Sequence, residues 1–303
     1  MTKGPVFNIH MSTNPTSYRL FFYPAGEMQV RIEPFSARRS VCEAAEIHIH
    51  ARLRSMDDTM ALLLLSDAVY GLNPRAIQVA FLPYLPYARA DRRFVEGDCL
   101  GVDVFGRLLR WGSFIRVSLD VHSVPAIEAA GVINASPLPL IEQAIFDFAR
   151  RCATDCVTVL FPDEGASKRY ALPMKLVSHS VQIELKHKYC SKRRNSATGA
   201  LEGFDVPRSI KETDAVLIVD DICDGGGTFN GIAKAIELEV RPPMGLYVTH
   251  GIFSKGLEEL LIHFRQIYTS DSWLDLTAHY DRVTVFPAAQ VMWEALKGNG
   301  AKK

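Results

Sequence analysis

One stretch of the chain, Ala215 to Leu238, constrains the fold more than any other; its sequence is AVLIVDDICDGGGTFNGIAKAIEL. The apolar start, AVLIVDD, predicts a buried strand, ICDGGGT predicts a loop, and FNGIAKAIEL has the periodicity of a helix. A loop that enters a helix N-terminus presents free backbone N–H groups and the positive end of the helix dipole. The sequence therefore predicts a strand–loop–helix unit with an anion-binding turn.

The same alternation continues along the rest of the chain. Strands are predicted for AIQVAFLPYL, FIRVSLDV, CVTVLF, MGLYVTHG and RQIYTSD, and helices for TMALLLLSDAVYGL, LGVDVFGRLLRWG and LPLIEQAIFDFARRCA. This pattern is typical of α/β folds in which helices flank mainly parallel sheets. The 303 residues correspond to about two domains. The proline-containing ASPLPL segment predicts a boundary between domains 1–140 and 141–303.

The charge and cysteine pattern exclude several classes of protein. The formal net charge is +0 and the pI is about 7.1, so the composition gives no support to a nucleic-acid or membrane-surface partner. None of the six cysteines forms a C-x-x-C pair. The first residues lack the apolar core of a signal peptide, and no apolar run approaches the roughly 20 residues of a membrane span. A reduced, cytoplasmic setting is expected.

The acidic residues beside the glycine triplet point to a sugar phosphate. An ordinary helix cap needs one aspartate, whereas this loop follows or contains Asp220, Asp221 and Asp224. Paired carboxylates can accept hydrogen bonds from two vicinal hydroxyls of a ribose. Glycines allow the backbone to approach a phosphate closely, although the sequence lacks the G-x-x-x-x-G-K-[ST] pattern of a Walker A loop.

The segment VLIVDDICDGGGT resembles the ribose-5-phosphate loop of type I phosphoribosyltransferases and of phosphoribosyl pyrophosphate (PRPP) synthetases. By this resemblance the three aspartates orient the ribose, and Asp220 or Asp224 assists removal of a proton from its hydroxyl. The 5-phosphate would be bound by Gly225, Gly226, Gly227 and Thr228. The loop alone does not separate enzymes that make PRPP from enzymes that consume it.

Three further segments resemble the ATP-binding parts of PRPP synthetases. FLPYLPYARADRR is similar to PYxxYARQDR, SLDVHS is similar to a segment containing DLH, and FYPAGEMQVRI is similar to RFSDGExxVxI. The last of these reaches adenine across a subunit interface in the family, which implies a homodimer or a higher homo-oligomer. The resemblance assigns ATP binding to Tyr23, Glu27, Arg89, Asp91, Arg92 and His122.

Two segments resemble the parts that handle the transferred diphosphate. LFPDEGASKRY is similar to the pyrophosphate loop SPDxGGxxRA, which assigns that role to Asp163, Glu164 and Gly165. The family requires Mg²⁺, and the resemblance makes His122 and Asp163 its ligands. Because Mg²⁺ prefers oxygen ligands, Asp120 is a further candidate.

YCSKRRNSATGALEGF resembles the flexible catalytic loop with the pattern D-K-x-R. Lys192 and Arg194 match that pattern and would stabilise the charge on the transferred group, with Ser191 in the place of the aspartate. KHK, residues 186–188, offers an alternative alignment, so which lysine is catalytic stays open. As a lid, the loop would keep water away from ATP.

With VTHGIFSKG, which is similar to THxxFS, the resemblance spans nearly the whole chain in family order. It implies two tandem phosphoribosyltransferase-type domains and an enzyme that transfers the β,γ-diphosphate of ATP to a 5-phosphorylated ribose, releasing AMP. Ribose 5-phosphate is the first expected acceptor. A PRPP-consuming transferase and a non-catalytic regulatory homologue are alternatives, but neither explains the ATP-binding segments together with Lys192 and the three aspartates.

The sequence also departs from the family at three positions. Ala25 and Ala90 replace an aspartate and a glutamine that help to contact ATP, so adenine recognition is expected to differ. Gly225 replaces a threonine of the ribose-phosphate loop, which removes a hydrogen bond and is expected to open space there. This favours a second acceptor, ADP-ribose, whose pyrophosphorylated product would serve NAD synthesis.

Overall fold

The computed structural model describes residues 5–11, 16–170, 174, 183–194, 201–274 and 281–300. It divides into two compact units. The first contains the described residues of Met1–Ser136 and of Ala288–Lys303, and the second is Pro137–Pro287. The last helix of the chain therefore belongs to the first unit, although it follows the second unit in sequence.

The first unit is built on a five-stranded sheet in the order β1-β4-β5-β6-β7, and every pairing is parallel. A separate antiparallel hairpin is formed by β2 and β3. The elements are β1 (Val6–His10), β2 (Tyr18–Phe22), β3 (Met28–Ile32), α1 (Phe35–Glu43), β4 (Glu46–His50), α2 (Met56–Leu72), β5 (Ile77–Leu82), α3 (Gly101–Leu109), β6 (Phe114–Leu119), α4 (Val124–Ala130), β7 (Val132–Ala135) and, after the second unit, α9 (Ala289–Gly300).

The start of α2 shows why the sequence forms a helix at this point. The Ser55 hydroxyl accepts a hydrogen bond from the Asp58 N–H at 3.1 Å, and the Asp58 carboxylate accepts one from the Ser55 N–H at 2.8 Å. This reciprocal cap satisfies two backbone donors that a helix end leaves without partners. Leu62, Leu65 and Val69 on the same helix are fully buried in the core of the first unit.

The last helix, α9, packs against the first unit next to a group of histidines. The His10 and His50 rings stack with their centroids 4.4 Å apart. His48 Nε2 lies 3.2 Å from the Glu46 carboxylate, and both side chains are buried. Trp293 of α9 covers His48, with ring centroids 5.0 Å apart. The helix thus encloses polar groups that would otherwise face solvent.

The second unit is built on a six-stranded sheet in the order β15-β14-β13-β12-β8-β9, again entirely parallel. The strands β10 and β11 form a separate antiparallel hairpin. The elements are α5 (Leu138–Cys152), β8 (Cys156–Phe161), α6 (164–170), β9 (Glu184–Tyr189), β10 (Ser191–Arg194), β11 (Leu201–Asp205), β12 (Ala215–Cys223), α7 (Gly227–Glu237), β13 (Met244–Gly251), α8 (Glu258–His263), β14 (Gln266–Ser270) and β15 (Val283–Phe286).

The predicted α/β class, with a parallel sheet and flanking helices in each half, is confirmed. One detail differs, because β12 continues through Ile222 and Cys223, which the sequence analysis places in the loop. These two residues pair with His250 and Gly251 of β13, so the glycine loop begins two residues later than predicted. No helix in the described part of the chain combines the length and apolar character needed to cross a membrane.

Candidate functional site

Two carboxylates lie together near the end of β12, at the centre of the second sheet. Asp221 is 3% exposed and Asp220 is partly buried. The Asp221 N–H donates a hydrogen bond of 2.9 Å to Asp220 Oδ1. Burial, and then the negative charge of Asp221, raise the pKa of Asp220 well above its ordinary value, and Asp163 adds to the effect. The site therefore concentrates hydrogen-bond acceptors for hydroxyls or a cation.

Asp221 is held by an arginine that the sequence analysis did not assign to the site. Arg169 Nη1 of α6 lies 3.2 Å from Asp221 Oδ2. The Arg169 guanidinium also lies over the Tyr170 ring, 5.5 Å from its centroid. The sequence did contain one indication that Arg169 belongs to the site, because the family pattern SPDxGGxxRA has an arginine at the same place. Arg169 ties the predicted pyrophosphate loop and its helix to the acidic end of β12.

The predicted phosphate-binding turn lies at the N-terminus of α7. Gly226 is the N-cap residue and has φ = +75°, a left-handed conformation that glycine adopts without strain. A Cβ placed on Gly227 would meet no atom within 4 Å, so this part of the turn is open. Thr228 is partly buried in the first turn of the helix. The backbone N–H groups at this helix end suit an anion.

The expectation that Gly225 leaves an open space is wrong. A Cβ placed on Gly225 would have Lys255 Cδ and Cε as its nearest neighbours, both at 3.4 Å. The stem of Lys255 therefore lies along the loop on the side where residue 225 has no side chain. No local pattern marks this lysine as a neighbour of the loop, because it follows β13, far along the chain.

Residues 252–256, the β13 turn, are joined to the glycine loop by hydrogen bonds. The Ser254 hydroxyl donates to Asp224 Oδ1 at 2.6 Å, and the Ser254 N–H donates to the Asp224 carbonyl at 3.1 Å. The N–H groups of Ile252 and Phe253 both donate to the Cys223 carbonyl. Asp224, which is exposed, is thus held in place from the neighbouring strand.

The predicted pyrophosphate loop begins at the end of β8. Asp163 caps α6, since its Oδ1 accepts a hydrogen bond of 3.0 Å from the Ala166 N–H. A Cβ on Gly165 would lie 3.2 Å from the same oxygen, so the turn is tight at this residue. Glu164 is exposed and pairs with Lys168 at 2.8 Å. Asp163 therefore caps α6, and its charge contributes to the raised pKa of Asp220, whereas Glu164 pairs on the exposed surface of the helix.

The backbone of Lys192 and Arg194 lies in β10, and their side chains are outside the described residues. Lys192 pairs with Phe204 and Arg194 with Leu201 across the hairpin, with a bulge between residues 193 and 194. The other candidate lysines lie on β9. Lys188 Nζ donates to the Ser209 carbonyl at 2.9 Å, whereas Lys186 is 3.9 Å from Glu184.

In the first unit, the structure brings together two of the segments expected to bind ATP. The Asp91 carboxylate accepts two hydrogen bonds from the Arg92 guanidinium, at 2.9 and 3.1 Å. Its pKa is lowered to about 2, chiefly by this arginine, and also by a hydrogen bond from Ser123 and by the charge of His122. Asp91 therefore lies beside the end of β6, where both Ser123 and His122 are located.

The remaining first-unit candidates are at the surface. Arg89 and Arg92 are exposed after β5. Tyr23 and Glu27 flank the turn of the β2–β3 hairpin, where the Tyr23 N–H donates to the Glu27 carbonyl at 2.8 Å. Tyr23 is 47% exposed and Glu27 is also exposed, so both side chains are accessible.

Within the described residues, no cluster of three or more His, Cys, Asp or Glu side chains has the arrangement of a preformed metal site. Asp120 is buried, at 3% exposure, and has φ = +45°. The Asp220 and Asp221 carboxylates supply oxygen atoms, which are the ligand type that a hard divalent cation prefers.

The chain is similar to several known proteins, although no family model matches it. The ribose-phosphate pyrophosphokinase of Mycoplasmopsis pulmonis is 30% identical over 203 residues, which are 67% of this chain but only 60% of that protein. Those of Sulfurisphaera tokodaii and Methanopyrus kandleri are 25% and 23% identical over 256 and 282 residues. These matches cover 82% and 91% of this chain, and 82% and 89% of the respective proteins.

The fold is also that of a solved structure. The crystal structure of phosphoribosylpyrophosphate synthetase from Mycobacterium smegmatis matches 98% of this chain and 99% of its own, with a TM-score of 0.75 and 17% sequence identity. The fold, the order of the motifs and the sequence relatives agree with the resemblance found in the sequence. The chain therefore belongs to the ribose-phosphate pyrophosphokinase family of enzymes.

Proposed function

We propose that this chain transfers the β,γ-diphosphate of ATP to the anomeric hydroxyl of ribose 5-phosphate, forming PRPP and releasing AMP. The observation that carries the proposal is the acidic end of β12 next to the glycine turn of α7. Asp220 and Asp221 supply acceptors for sugar hydroxyls, and the helix N-terminus suits the 5-phosphate. The names of the sequence relatives support the same reaction.

In the proposed reaction, the anomeric oxygen attacks the β-phosphorus of ATP. The bond from that phosphorus to the oxygen shared with the α-phosphate breaks, and AMP leaves with the electron pair. The hydroxyl proton passes to a carboxylate of this chain. Asp220 is suited to accept it, because its raised pKa brings its basicity closer to that needed at neutral pH. Asp224 is the other candidate for this step.

Other residues of the chain would bind and orient the reactants. We assign the triphosphate to Arg89, Arg92 and His122, and the transferred diphosphate to the loop at Asp163–Gly165. Lys192 and Arg194 would stabilise the charge that develops at the transferred phosphorus, as positioned cations do in phosphoryl transfer. The three aspartates 220, 221 and 224 would orient the ribose.

Magnesium fits this set of residues because carboxylate oxygens are its preferred protein ligands. Asp163 is the ligand we propose in the second unit, and His122 is its proposed counterpart in the first. When bound, the ion would neutralise part of the triphosphate charge. EDTA treatment should abolish AMP release, and added Mg²⁺ should restore it. Full turnover in metal-free buffer would contradict this assignment.

ADP-ribose is a second candidate acceptor, because Gly225 lacks the hydroxyl that the threonine of the family pattern would offer to a phosphate monoester. The phosphate next to the ribose in ADP-ribose carries only one charge and continues into a chain, so it needs fewer hydrogen-bond donors than a monoester does. Gly225→Thr should move acceptor preference toward ribose 5-phosphate by roughly tenfold, because one hydrogen bond to a charged group is gained. A competition assay with both acceptors on the wild type and the variant measures this ratio.

One incubation tests the proposal against its alternatives. The enzyme is mixed with ATP, Mg²⁺ and either ribose 5-phosphate or ADP-ribose, and the products are identified by mass spectrometry. AMP and a pyrophosphorylated acceptor are expected. If no AMP is released with either acceptor, a regulatory homologue is the better description. In a separate incubation without ATP, reaction of PRPP with a nucleobase would indicate a phosphoribosyltransferase.

A further inference from the structure

The β13 turn presents Lys255 to the glycine loop in a defined position. Besides the bonds to Cys223 and Asp224, the turn is closed by the Gly256 N–H, which donates to the Phe253 carbonyl at 2.8 Å. Phe253 and Gly256 both have positive φ, +49° and +81°. A turn bonded to the loop through several backbone groups carries its side chains along with the loop.

The Lys255 side chain combines proximity to the loop with an uncompensated charge. Its Cγ, Cδ and Cε atoms lie 3.4–3.6 Å from the position of a Cβ on Gly225. The residue is exposed, and its ammonium makes no ion pair or hydrogen bond with any of the described residues. A cation in this position adds to the positive end of the α7 dipole.

We propose that Lys255 binds the phosphate attached to C5 of the acceptor, supplying from β13 the side-chain contact that residue 225 does not offer. The inference rests on the proposed function, since it takes the α7 turn as the acceptor-phosphate site. The ligand chemistry is a phosphate ester on a ribose, either the dianionic monoester of ribose 5-phosphate or the diphosphate of ADP-ribose. An ammonium is a point charge with three donors and suits both.

The test compares Lys255→Met, Lys255→Arg and Lys234→Met with the wild type. Lys234 is an exposed lysine near the far end of α7 and serves as the matched control. Binding of ribose 5-phosphate and of ADP-ribose is measured by calorimetry without ATP, and kcat and KM are measured with ATP and Mg²⁺. Lys255→Met should weaken acceptor binding and raise its KM on the order of tenfold with little change in kcat, since a charge-assisted hydrogen bond is lost.

Further outcomes identify the phosphate and the mechanism. If Lys255→Met loses more affinity for ADP-ribose, the ammonium contacts the second phosphate. If it loses more affinity for ribose 5-phosphate, the ammonium contacts the monoester. Lys255→Arg should retain most of the affinity. The wild-type KM should rise more steeply with salt than that of Lys255→Met, because screening weakens an exposed charge.

A double variant tests the link between the two positions. In Gly225→Thr/Lys255→Met the threonine hydroxyl should restore part of the affinity, whereas in the wild-type background it shares the site with the lysine stem, which lies in van der Waals contact with the position of its Cβ. The two changes are therefore expected to be non-additive. If the wild type binds an acceptor and Lys255→Met binds it equally well, the inference about Lys255 is wrong and the proposed function stands. If the wild type neither binds an acceptor nor releases AMP in its presence, both fail.

Discussion

Arg169 Nη1 and Asp221 Oδ2 lie 3.2 Å apart, and this ion pair joins helix α6 to the acidic end of strand β12. The Asp221 side chain is 5% exposed, whereas that of Arg169 is 27% exposed. An ionised carboxylate in such a place needs a cation or several donors, because burial removes its hydration. The pair therefore fixes the spacing between the predicted pyrophosphate loop and the acids that we propose bind ribose.

Arg169→Gln should lower the free energy of unfolding by about 2 kcal/mol, since it leaves a buried carboxylate without this cation. It should also raise the acceptor KM, because the Asp221 N–H donates to Asp220 Oδ1 and a shift of residue 221 would move that carboxylate. Chemical denaturation and steady-state kinetics measure the two effects.

Lys168→Gln is the matched control for the Arg169 variant. Lys168 is the preceding residue, and its pair with Glu164 is exposed on both sides, at 73% and 65%. Its loss should change stability by less than about 1 kcal/mol. Equal effects of the two variants would show that the Arg169–Asp221 pair has no special function.

Lys192→Ala should lower kcat on the order of 10²–10³-fold while leaving acceptor binding nearly intact. The reason is that a residue acting only on the transition state affects turnover rather than ground-state affinity. Lys186→Ala and Lys188→Ala are the controls, and both are expected to keep most of the activity. If Lys192→Ala turns over normally and one of the controls does not, the catalytic lysine lies on β9.

The exposed hairpin turn at Tyr23 and Glu27 is expected to complete the ATP site of a neighbouring subunit, so the active form should be at least a dimer. Each ATP site would then combine Lys192 of one subunit with Tyr23 of the partner subunit. A mixed dimer of Tyr23→Ala and Lys192→Ala would hold one intact site and one site with both defects. Mixing the two inactive variants should restore up to about a quarter of the wild-type activity through mixed oligomers. No recovery after subunit exchange, or a fully active monomer in light scattering, would contradict the shared site.

The stability of the first unit should fall as the pH drops from about 6.5 toward 4. Burial, and then the charges of His10 and His48, lower the pKa of His50 to about 4. At a pH below the ordinary histidine pKa of 6.5, the unfolded chain binds a proton on this imidazole that the folded chain does not bind. Protonation therefore favours unfolding. At pH 5 this costs up to about 2 kcal/mol.

His50→Gln tests that prediction, since it removes the titrating group and keeps a polar side chain. Denaturation of the wild type and the variant is compared at pH 8 and pH 5. At pH 8 His50 is neutral in both states, so any difference there reports packing alone. The loss of stability between the two pH values should be smaller in the variant, and an equal loss would mean that other groups dominate.

Sequence periodicity predicted the local elements well but did not reveal distant contacts. The strands before Asp163 and Asp220 and the helices after them follow from apolar runs, glycines and helical spacing. By contrast, the partners of Asp221 and Gly225 lie far away along the chain, and no local pattern shows that α6 or the β13 turn will meet them. Arg169 matches an arginine of the family pattern, but its contact with β12, like that of Lys255 with the glycine loop, was revealed only by the parallel strand order.

The return of α9 to the first unit has a consequence for the order of biosynthesis. Trp293 covers His48, and α9 contacts β6 and β7, yet the ribosome makes this helix after the entire second unit. The unit whose synthesis starts first is therefore completed last. Until α9 emerges, a nascent chain holds the His48 side chain of β4 without its Trp293 cover, so the first unit stays incomplete while the second is being made.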